Sequence, residues 1–391
     1  MSTLLIHARI VLPDQVIEDG SLLLDDGLIV AIDPINSGTA HEIDLAGAWL
    51  MPGLIDLHGD AFEKEVEPRP KVGFPLPFAA AQIDRRCALA GVTTPFHSLS
   101  FAGREFGVRN DRMAAECIRV LRNWRGLVDH RIHVRYEITV ESSAPLVAAL
   151  INEGLADLVS FMDHTPGQGQ FRTEAAFAAY YQGAYTFTQT EVEELIAGKR
   201  LGQATAAERV RTLASLARDH GIALASHDDD SAEHIRAMAA LGVHISEFPI
   251  DLATAQAAKD MGICTIFGAP NVVRGGSQSG NMRALDAILA GTCGALCSDF
   301  HPPALVQAVL MLPELAGISM SASVALATAR PAAAVGLDDR GRIVPGLRAD
   351  LIAVRWEQGV AQVERSWVAG RQVLEANLVH SLRPALAQAA G

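Results

Sequence analysis

Histidines and carboxylates follow several short apolar runs of this sequence. The first such run, "LIDLHGD", ends in His58 and Asp60, and "ALASHDDD" contains His227. The complete set at five run ends is His58, Asp60, Glu137, His164, His227 and Asp299. Buried ionisable groups are costly unless they are paired or bound to a metal, and packing alone does not explain so many. Imidazole and carboxylate without thiolate suit Zn²⁺, Mn²⁺ or Fe²⁺, so a divalent metal centre is predicted.

The spacing of these residues indicates how they would work. His58 and Asp60 are two residues apart, so in a strand both side chains point the same way. Six candidate ligands predict a pair of ions about 3.5–4 Å apart that share a hydroxide. Asp299, in the last run, is the candidate acid/base that orients the hydroxide and carries its proton to the leaving group. Asp163 has two readings, a partner that holds the His164 ring or a cap of the following turn.

The elements between these residues repeat in one order. Helical patterns close on a glycine and lead directly into a short apolar strand; the clearest helix is 205–220, with a Thr205-x-x-Glu208 capping box. The strands read as "LIDLH", "TTPFHSL", "IHVRYEI", "LVSFMDH", "ALASHD", "HISEF", "TIFGAP" and "ALCSD". This alternation predicts an α/β protein with a (β/α)₈ TIM-type barrel. An open doubly wound sheet is the alternative, but no GxGxxG follows the first strand.

The two ends of the chain have a different pattern. Residues 1–51 and 342–391 contain short strands separated by turn signals, and together they predict one small β-sandwich domain. The barrel domain is then 52–341. Residues 165–203 exceed a normal βα connection and predict a lid-like insertion, in which Tyr180 and Tyr181 serve either the lid or a dimer contact.

Composition excludes some classes of function. The 391 residues carry a net charge of −13, which disfavours nucleic acid as a partner while allowing a local basic cluster for an anionic small molecule. The five cysteines are scattered and form no CxxC pair, which favours a reducing compartment. We find no signal peptide and no apolar run of about 18 residues, so we predict a cytoplasmic protein without a membrane partner.

Several longer motifs resemble a known family. "MPGLIDLHGD" and "GLRADLIAV" resemble the amidohydrolase superfamily of metal-dependent hydrolases over nearly the whole chain. Within it, "DLHGDAFEKEVEPRP", "FMDHTPGQGQFR", "RGGSQSGN" and "SDFHPPALV" are similar to the PhnM family of the carbon–phosphorus lyase pathway. The resemblance implies hydrolysis of α-D-ribose 1-methylphosphonate 5-triphosphate with release of pyrophosphate. It also implies metal ligation at His58, Asp60, Glu137, His164 and His227, with Asp299 as acid/base.

The sequence departs from these families at four points. Most of the superfamily begins with His-x-His, where this chain has His58-Gly59-Asp60, as its branch does. The superfamily usually takes its later histidines from strands five and six, whereas our count places them on strands four and five. The branch usually has histidine where this chain has Gln278, and tyrosine where it has Phe300; both positions are expected near the substrate.

A triphosphate needs cationic and N–H partners, and two loops offer them. The loop after strand one is either a phosphate site or a solvated charge run, and the loop after strand seven is rich in glycine. Asn281 is predicted to cap the next helix, and the "GQGQF" stretch to be a flexible cover that offers amide donors. The predicted substrate-binding residues are Lys64, Arg69, Lys71, Gln168, Gln170, Arg274, Ser277, Ser279 and Asn281.

Two other functions compete with this reading. A C–N hydrolase, such as a deacetylase or deaminase of an anionic small molecule, is the common activity of the superfamily. A scaffold without catalysis would lack ligands, yet every expected position is filled. His97 is expected to line the pocket, and His301 and the oligomeric state are left open, with a homo-oligomer as one possibility.

Overall fold

A barrel of parallel strands and a separate sheet of terminal strands make up the fold. The computed structural model describes residues 2–69, 71–106, 109–185, 187–277 and 280–376. The predictions for Gln278, Ser279 and the tail 377–391 therefore lie outside the described residues.

Both ends of the chain contribute to the terminal sheet. Strand β1 is central because it pairs with β2 in antiparallel fashion and with β4 and β5 in parallel. C-terminal strand β16 joins the sheet by pairing with β5. The strands are β1 (Thr3–Val11), β2 (Val16–Asp25), β3 (Leu28–Ile32), β4 (His41–Asp44), β5 (Trp49–Pro52), β16 (Leu351–Glu357), β17 (Val360–Val368) and β18 (Arg371–Glu375). They share a core that includes Leu5, Leu50 and Trp367, so the two ends form one unit as predicted. The exact division at residues 51 and 342 stays a prediction.

Eight strands form the barrel, and they are the eight runs read from the sequence. They are β6 (Leu54–Gly59), β7 (Val92–Phe101), β10 (Arg131–Glu137), β11 (Leu158–Met162), β12 (Ala223–His227), β13 (Ile245–Glu247), β14 (Cys264–Gly268) and β15 (Ala295–Cys297). All neighbours are parallel and follow chain order, and a bridge from Gly59 to Asp299 joins the last strand end to the first. Nearly continuous burial, as in all ten residues of β7, is typical of parallel strands covered on both faces. The predicted barrel is confirmed.

Helices cover the outside of the barrel. They are α1 (Ala61–Val66), α2 (Leu76–Leu89), α3 (Asp111–Asn123), α4 (Ala144–Asn152), α5 (Glu174–Tyr185), α6 (Gln189–Asp219), α7 (Ala232–Ala240), α8 (Leu252–Asp260), α9 (Ala269–Arg274), α10 (Ala284–Leu289), α11 (Pro303–Ala316), α12 (Met320–Ala325) and α13 (Ala329–Ala334). The remaining elements are a 3₁₀ turn at Glu141–Ser143 and the short pair β8 (Arg104–Phe106) and β9 (Arg109–Asn110). Among the described residues, none of these helices has both the length and the apolar character needed to cross a bilayer.

The predicted start of the clearest helix is wrong. Helix α6 begins at Gln189, sixteen residues before Thr205, and its capping box is formed by Thr188 and Glu191. Thr205 lies inside the helix, where its hydroxyl accepts from Arg209 instead of capping. The insertion therefore consists of α5 and the first half of α6, which pack around Phe171, Phe177, Tyr181, Val192 and Ile196.

Candidate functional site

His58 lies at the buried end of β6 between two carboxylates. Its Nδ1 is 2.9 Å from Glu247 Oε1 on β13, and its Nε2 is 3.4 Å from Asp60 Oδ1. Burial alone would lower the pKa of His58, but the charge of Glu247 and the hydrogen bonds to Asp60 and Glu247 together outweigh it and raise this pKa to about 10. In the metal-free protein the ring is therefore a charged partner of Glu247, and a metal would have to displace its proton.

Three groups of metal-ligating side chains meet at this end of the barrel. In each group the ligand atoms lie within 4.8 Å of one another. The groups found among the described residues are His58, His227 and Glu247; His164, His227 and Asp228; and His58, Asp60 and Asp299. Because they share His58 and His227, they form one continuous set, which we call the mouth cluster: His58, Asp60, His164, His227, Asp228, Glu247 and Asp299.

Unsatisfied atoms show that the mouth cluster fits a cation. Glu247 Oε2, His227 Nδ1 and Asp228 Oδ2 are buried and have no hydrogen-bond partner, although the last two lie 2.9 Å apart. Leaving such atoms unpaired costs roughly 1–3 kcal/mol each, more where the group is charged. A divalent ion satisfies carboxylate oxygens and imidazole nitrogens at the same time, and these donor types suit one. The residues present therefore fit the predicted divalent metal.

A repeated backbone turn directs side chains into this cluster. Asp228 directly follows β12, Phe248 directly follows β13, and Asp299 lies two residues after β15. Each of the three has a left-handed φ near +55°. Each also donates its N–H to a carbonyl of the neighbouring strand: Asp228 to Glu247, Phe248 to Ile266, and Asp299 to His58. Non-glycine residues rarely adopt this conformation, and such strain is concentrated at functional sites. These turns hold Asp228 and Asp299 at the mouth.

Asp299 has the properties of a proton carrier. Its N–H and C=O both bond to the β6 end, to His58 O and Asp60 N, which fixes the residue where the barrel closes. Burial, with the charge of Asp60 adding to it, raises the pKa of Asp299 to about 6. A carboxyl group with a pKa near the working pH is suited to take up and release a proton.

Glu137 does not take part in any of the three groups. Its Oε1 accepts from Thr139 Oγ1 at 2.7 Å, and its Oε2 lies 2.9 Å from His164 Nδ1 and 3.2 Å from Lys199 Nζ. Burial alone would raise the pKa of Glu137, but the Lys199 ammonium and the His164 ring hold it well below its ordinary value. The structure thus brings together the other five predicted ligands, Asp299 among them, and places Glu137 behind His164.

Asp163 lies in the turn after β11. Its Oδ1 accepts from the N–H of Thr165 at 3.0 Å, which is the contact that the turn-cap reading predicts. Its Oδ2 accepts from Gln203 Nε2 of helix α6 at 2.9 Å. The His164 ring is held by Glu137 instead.

The sequence analysis did not identify four residues that lie at the site. Glu247 is the penultimate residue of "HISEF" and Asp228 follows His227 in "SHDDD", so both lie near strand ends that the sequence analysis identifies. Arg135 lies on β10 with its guanidinium 3.3 Å from both Asp60 Oδ1 and His227 Nε2. Lys199 comes from helix α6 and has no local signal, because its position depends on how the insertion folds back.

The predicted phosphate residues lie mostly on the surface. Lys64, Arg69, Lys71 and Arg274 are exposed, while Ser277 and Asn281 are half-buried. The predicted cap of helix α10 by Asn281 is wrong, because the residue before the helix is Arg283. The first N–H of the helix, that of Ala284, donates to Asn271 Oδ1. Phe300 is 40% exposed next to Asp299, and His301 is also exposed.

The "GQGQF" stretch forms a turn that backbone hydrogen bonds close, and its role as a flexible cover stays a prediction. Gly167 N and Phe171 N close it with backbone hydrogen bonds to Phe171 O and Gln168 O, and Gly169 N donates to Asp230. Phe171 packs into the core of the insertion. Gln168 borders a small cavity with Asp163, His227 and Asp228, whereas Gln170 is half-buried in the turn.

Comparison with known proteins agrees with this geometry. The model of the amidohydrolase family matches residues 177–373. The chain is 34% identical over 379 residues to the α-D-ribose 1-methylphosphonate 5-triphosphate diphosphatase of Escherichia coli K12, covering 94% of this chain and 99% of that protein.

Solved structures share the fold at low identity. The N-acetylglucosamine-6-phosphate deacetylase of Pasteurella multocida has a TM-score of 0.66 at 13% identity, covering 96% of this chain and 100% of that one. The 5-methylcytosine deaminase of Klebsiella pneumoniae also has a TM-score of 0.66, at 16% identity over 98% of this chain and 100% of that one. With these matches, the chain belongs to the amidohydrolase family and, within it, to the PhnM family that its motifs resemble.

Proposed function

We propose that this protein hydrolyses α-D-ribose 1-methylphosphonate 5-triphosphate to release pyrophosphate, as a step of phosphonate breakdown. The observation that carries the proposal is the 34% identity to the E. coli diphosphatase, which extends over 99% of that protein. The mouth cluster supports it, because it offers metal ligands beside a carboxyl group with a pKa near 6.

The proposed cofactor is a divalent metal, with two ions of Zn²⁺, Mn²⁺ or Fe²⁺ as the finer proposal. His58, Asp60, His164, His227 and Asp299 are the predicted residues that would hold it, and the buried unpaired atoms beside them support this. When bound, the metal supplies charge stabilisation at a phosphoryl oxygen and lowers the pKa of water.

The proposed role of Asp299 is to move the proton. Its carboxylate takes a proton from the attacking water as the new bond to phosphorus forms. It then returns that proton to the oxygen that leaves with pyrophosphate as the old phosphorus–oxygen bond breaks. Its pKa of about 6 suits both halves of this transfer near neutral pH.

The positive charge that binds the triphosphate is proposed to come from one buried arginine and from exposed basic residues at the surface. Arg135 lies inside the mouth, where its side chain is only 11% exposed, so its charge acts with little screening by solvent. A guanidinium also matches the geometry of phosphate oxygens. Lys64, Arg69, Lys71 and Arg274 are proposed to attract the outer phosphates from the surface, with Ser277, Ser279, Asn281, Gln168 and Gln170 as neutral donors.

Phosphorus NMR of the metal-loaded protein tests the proposal. The phosphorus signals of the two outer phosphates of the sugar triphosphate should disappear, and the signal of pyrophosphate should appear. ATP in a parallel sample should remain intact. If neither compound changes, the proposed substrate is wrong, and acylated and deaminable compounds become the next to screen. Release of orthophosphate instead of pyrophosphate would contradict the proposed bond.

A further inference from the structure

We infer that Glu247, at the end of β13, is the carboxylate that binds the metal from inside the barrel. Glu137 is a positioning residue that holds the His164 ring through Nδ1. This inference rests on the metal of the proposed function and not on its substrate. It places a metal ligand on the sixth barrel strand. It also implies that the long insertion positions Glu137.

Glu247 has the contacts of a ligand that lacks its ion. The residue is completely buried, and Oε2 has no hydrogen-bond partner. His133 Nε2 lies 3.6 Å from Oε2, and that nitrogen already bonds to Ser160 Oγ at 2.8 Å. His58 and His227 place their ligand atoms within 4.8 Å of this carboxylate. A cation bound between these three side chains would give Oε2 the partner that it lacks.

Glu137 has the opposite surroundings. Both of its oxygens have protein donors: Thr139 Oγ1 on Oε1, and His164 Nδ1 and Lys199 Nζ on Oε2. Its negative charge is already balanced by the buried Lys199 ammonium. Because Nδ1 of His164 faces Glu137, only Nε2 of that ring is directed toward the mouth, where it lies 3.7 Å from Asp228 Oδ2. Metal-binding histidines commonly hold a carboxylate with their second nitrogen in this way.

Helix α6 delivers the lysine to Glu137. A Cβ at Gly202 would lie 1.9 Å from the carbonyl oxygen of Thr139, so only glycine lets the helix approach this closely. Lys199 is one turn earlier on the same face, and Gln203 on that face bonds to Asp163 Oδ2. One face of α6 therefore contacts both strand ends, through Lys199 to Glu137 at the end of β10 and through Gln203 to Asp163 after β11. The insertion therefore fixes the position of Glu137 through Lys199, and Glu137 in turn fixes the His164 ring.

Metal content of matched variants tests the assignment. Glu247→Gln and Glu137→Gln remove one charge each at constant shape, and both are purified metal-free, incubated with Zn²⁺ or Co²⁺, and measured by plasma mass spectrometry and visible absorption. We expect Glu247→Gln to lose at least one bound ion, or to bind it more than about 100-fold more weakly, with a changed Co²⁺ spectrum. Glu137→Gln should keep the full ion count with affinity reduced by roughly 10–100-fold.

The reverse result, in which Glu137→Gln loses the ion and Glu247→Gln keeps it, overturns the inference. Circular dichroism shows whether each variant is folded. If Glu247→Gln does not fold, Glu247→His replaces it, because histidine offers another ligand and is expected to restore the ion. Wild-type protein that binds no metal would contradict both the inference and the proposed cofactor. Wild-type protein that binds metal but releases no pyrophosphate would contradict only the substrate.

Discussion

Two buried groups of histidines and carboxylates in this barrel differ in one physical respect. The mouth cluster contains buried oxygen and nitrogen atoms without hydrogen-bond partners. The second group, which we call the outer cluster, is His97, His130 and Asp84, between β7 and helix α2. There His97 Nε2 lies 2.7 Å from His130 Nδ1, and His130 Nε2 lies 3.0 Å from Asp84 Oδ1. Asp84 also accepts from the N–H groups of Leu127 and Val128.

The difference explains why residue types alone do not define a metal site. Both clusters are buried and rich in imidazole and carboxylate. The outer cluster is a closed chain of hydrogen bonds that ties α2 to the segment before β10. It lies outside the barrel, so the expectation that His97 lines the pocket is not supported. The mouth cluster is open, because its unpaired atoms converge on shared positions. Several unsatisfied buried atoms that lie close together are therefore the feature that distinguishes the mouth cluster from the outer cluster.

Removing a shared ligand should have the largest effect. His227 belongs to two of the three ligand groups, so His227→Asn is expected to remove bound metal and lower kcat/KM by roughly 10³-fold or more. His97→Asn, the matched change in the outer cluster, should leave the ion count unchanged. Plasma mass spectrometry and pyrophosphate release measure both. Equal loss of metal in the two variants would abolish the distinction between the clusters.

Asp299→Asn should follow in size. The amide cannot carry a proton, and general acid–base catalysis contributes about 10²–10⁴-fold, so kcat should fall within that range. In the wild-type protein the carboxylate must be ionised to accept a proton. Because burial and Asp60 raise the pKa of Asp299 to about 6, activity should increase as the pH rises through about 6. The variant should lose this rise, and a pH–rate profile that keeps it would assign the titration to another group.

Metal affinity should depend on pH to a smaller extent. Burial opposes the charged form of His58 and His164, but Glu247 and Asp60 together outweigh it at His58, and Asp228 and Glu137 outweigh it at His164. The pKa values rise to about 10 and about 9, so both rings hold protons at pH 7 in the metal-free protein. Each displaced proton makes affinity about tenfold stronger per pH unit, up to about pH 9. Calorimetry in buffers of different ionisation enthalpy should show one to two protons released. Release of none would contradict the pairing of His58 with Glu247.

The outer cluster should affect stability and leave catalysis almost unchanged. Asp84→Ala leaves His130 and two backbone N–H groups, one of them buried, without their acceptor, which should lower the free energy of unfolding by about 2–4 kcal/mol. Urea unfolding measures this change. The kcat of the folded variant should stay within about twofold of wild type, and a larger fall in kcat would connect the outer cluster to the reaction.

The fold was predictable because its signals are local. Each barrel strand is a short apolar run preceded by a glycine or turn residues, and the parallel order follows from the alternation with helices. His58, Asp60, His164, His227 and Asp299 were predictable for the same reason, since the carboxyl ends of barrel strands meet at one mouth. The count that placed the later histidines on strands four and five is confirmed by the positions of β11 and β12.

The remaining residues depend on contacts between distant segments. Lys199 reaches Glu137 only because Gly202 lets α6 approach Thr139, and no pattern near residue 199 indicates this. The Thr205 capping box failed because the true box, at Thr188, lies inside the insertion and the helix runs through Thr205 without interruption. Glu247 could have been found, since it ends a strand that was read correctly, but its unpaired oxygen is visible only in three dimensions.

Anomalous scattering from crystals of the Zn²⁺-loaded protein tests the central claim most directly. The account predicts a peak at the mouth, at about 2.0–2.2 Å from Glu247 Oε2 and from nitrogens of His58 and His227, with no peak at His97 and His130. A peak ligated by Glu137, with Glu247 paired only to His58, would contradict the claim that the unsatisfied atoms mark the metal site.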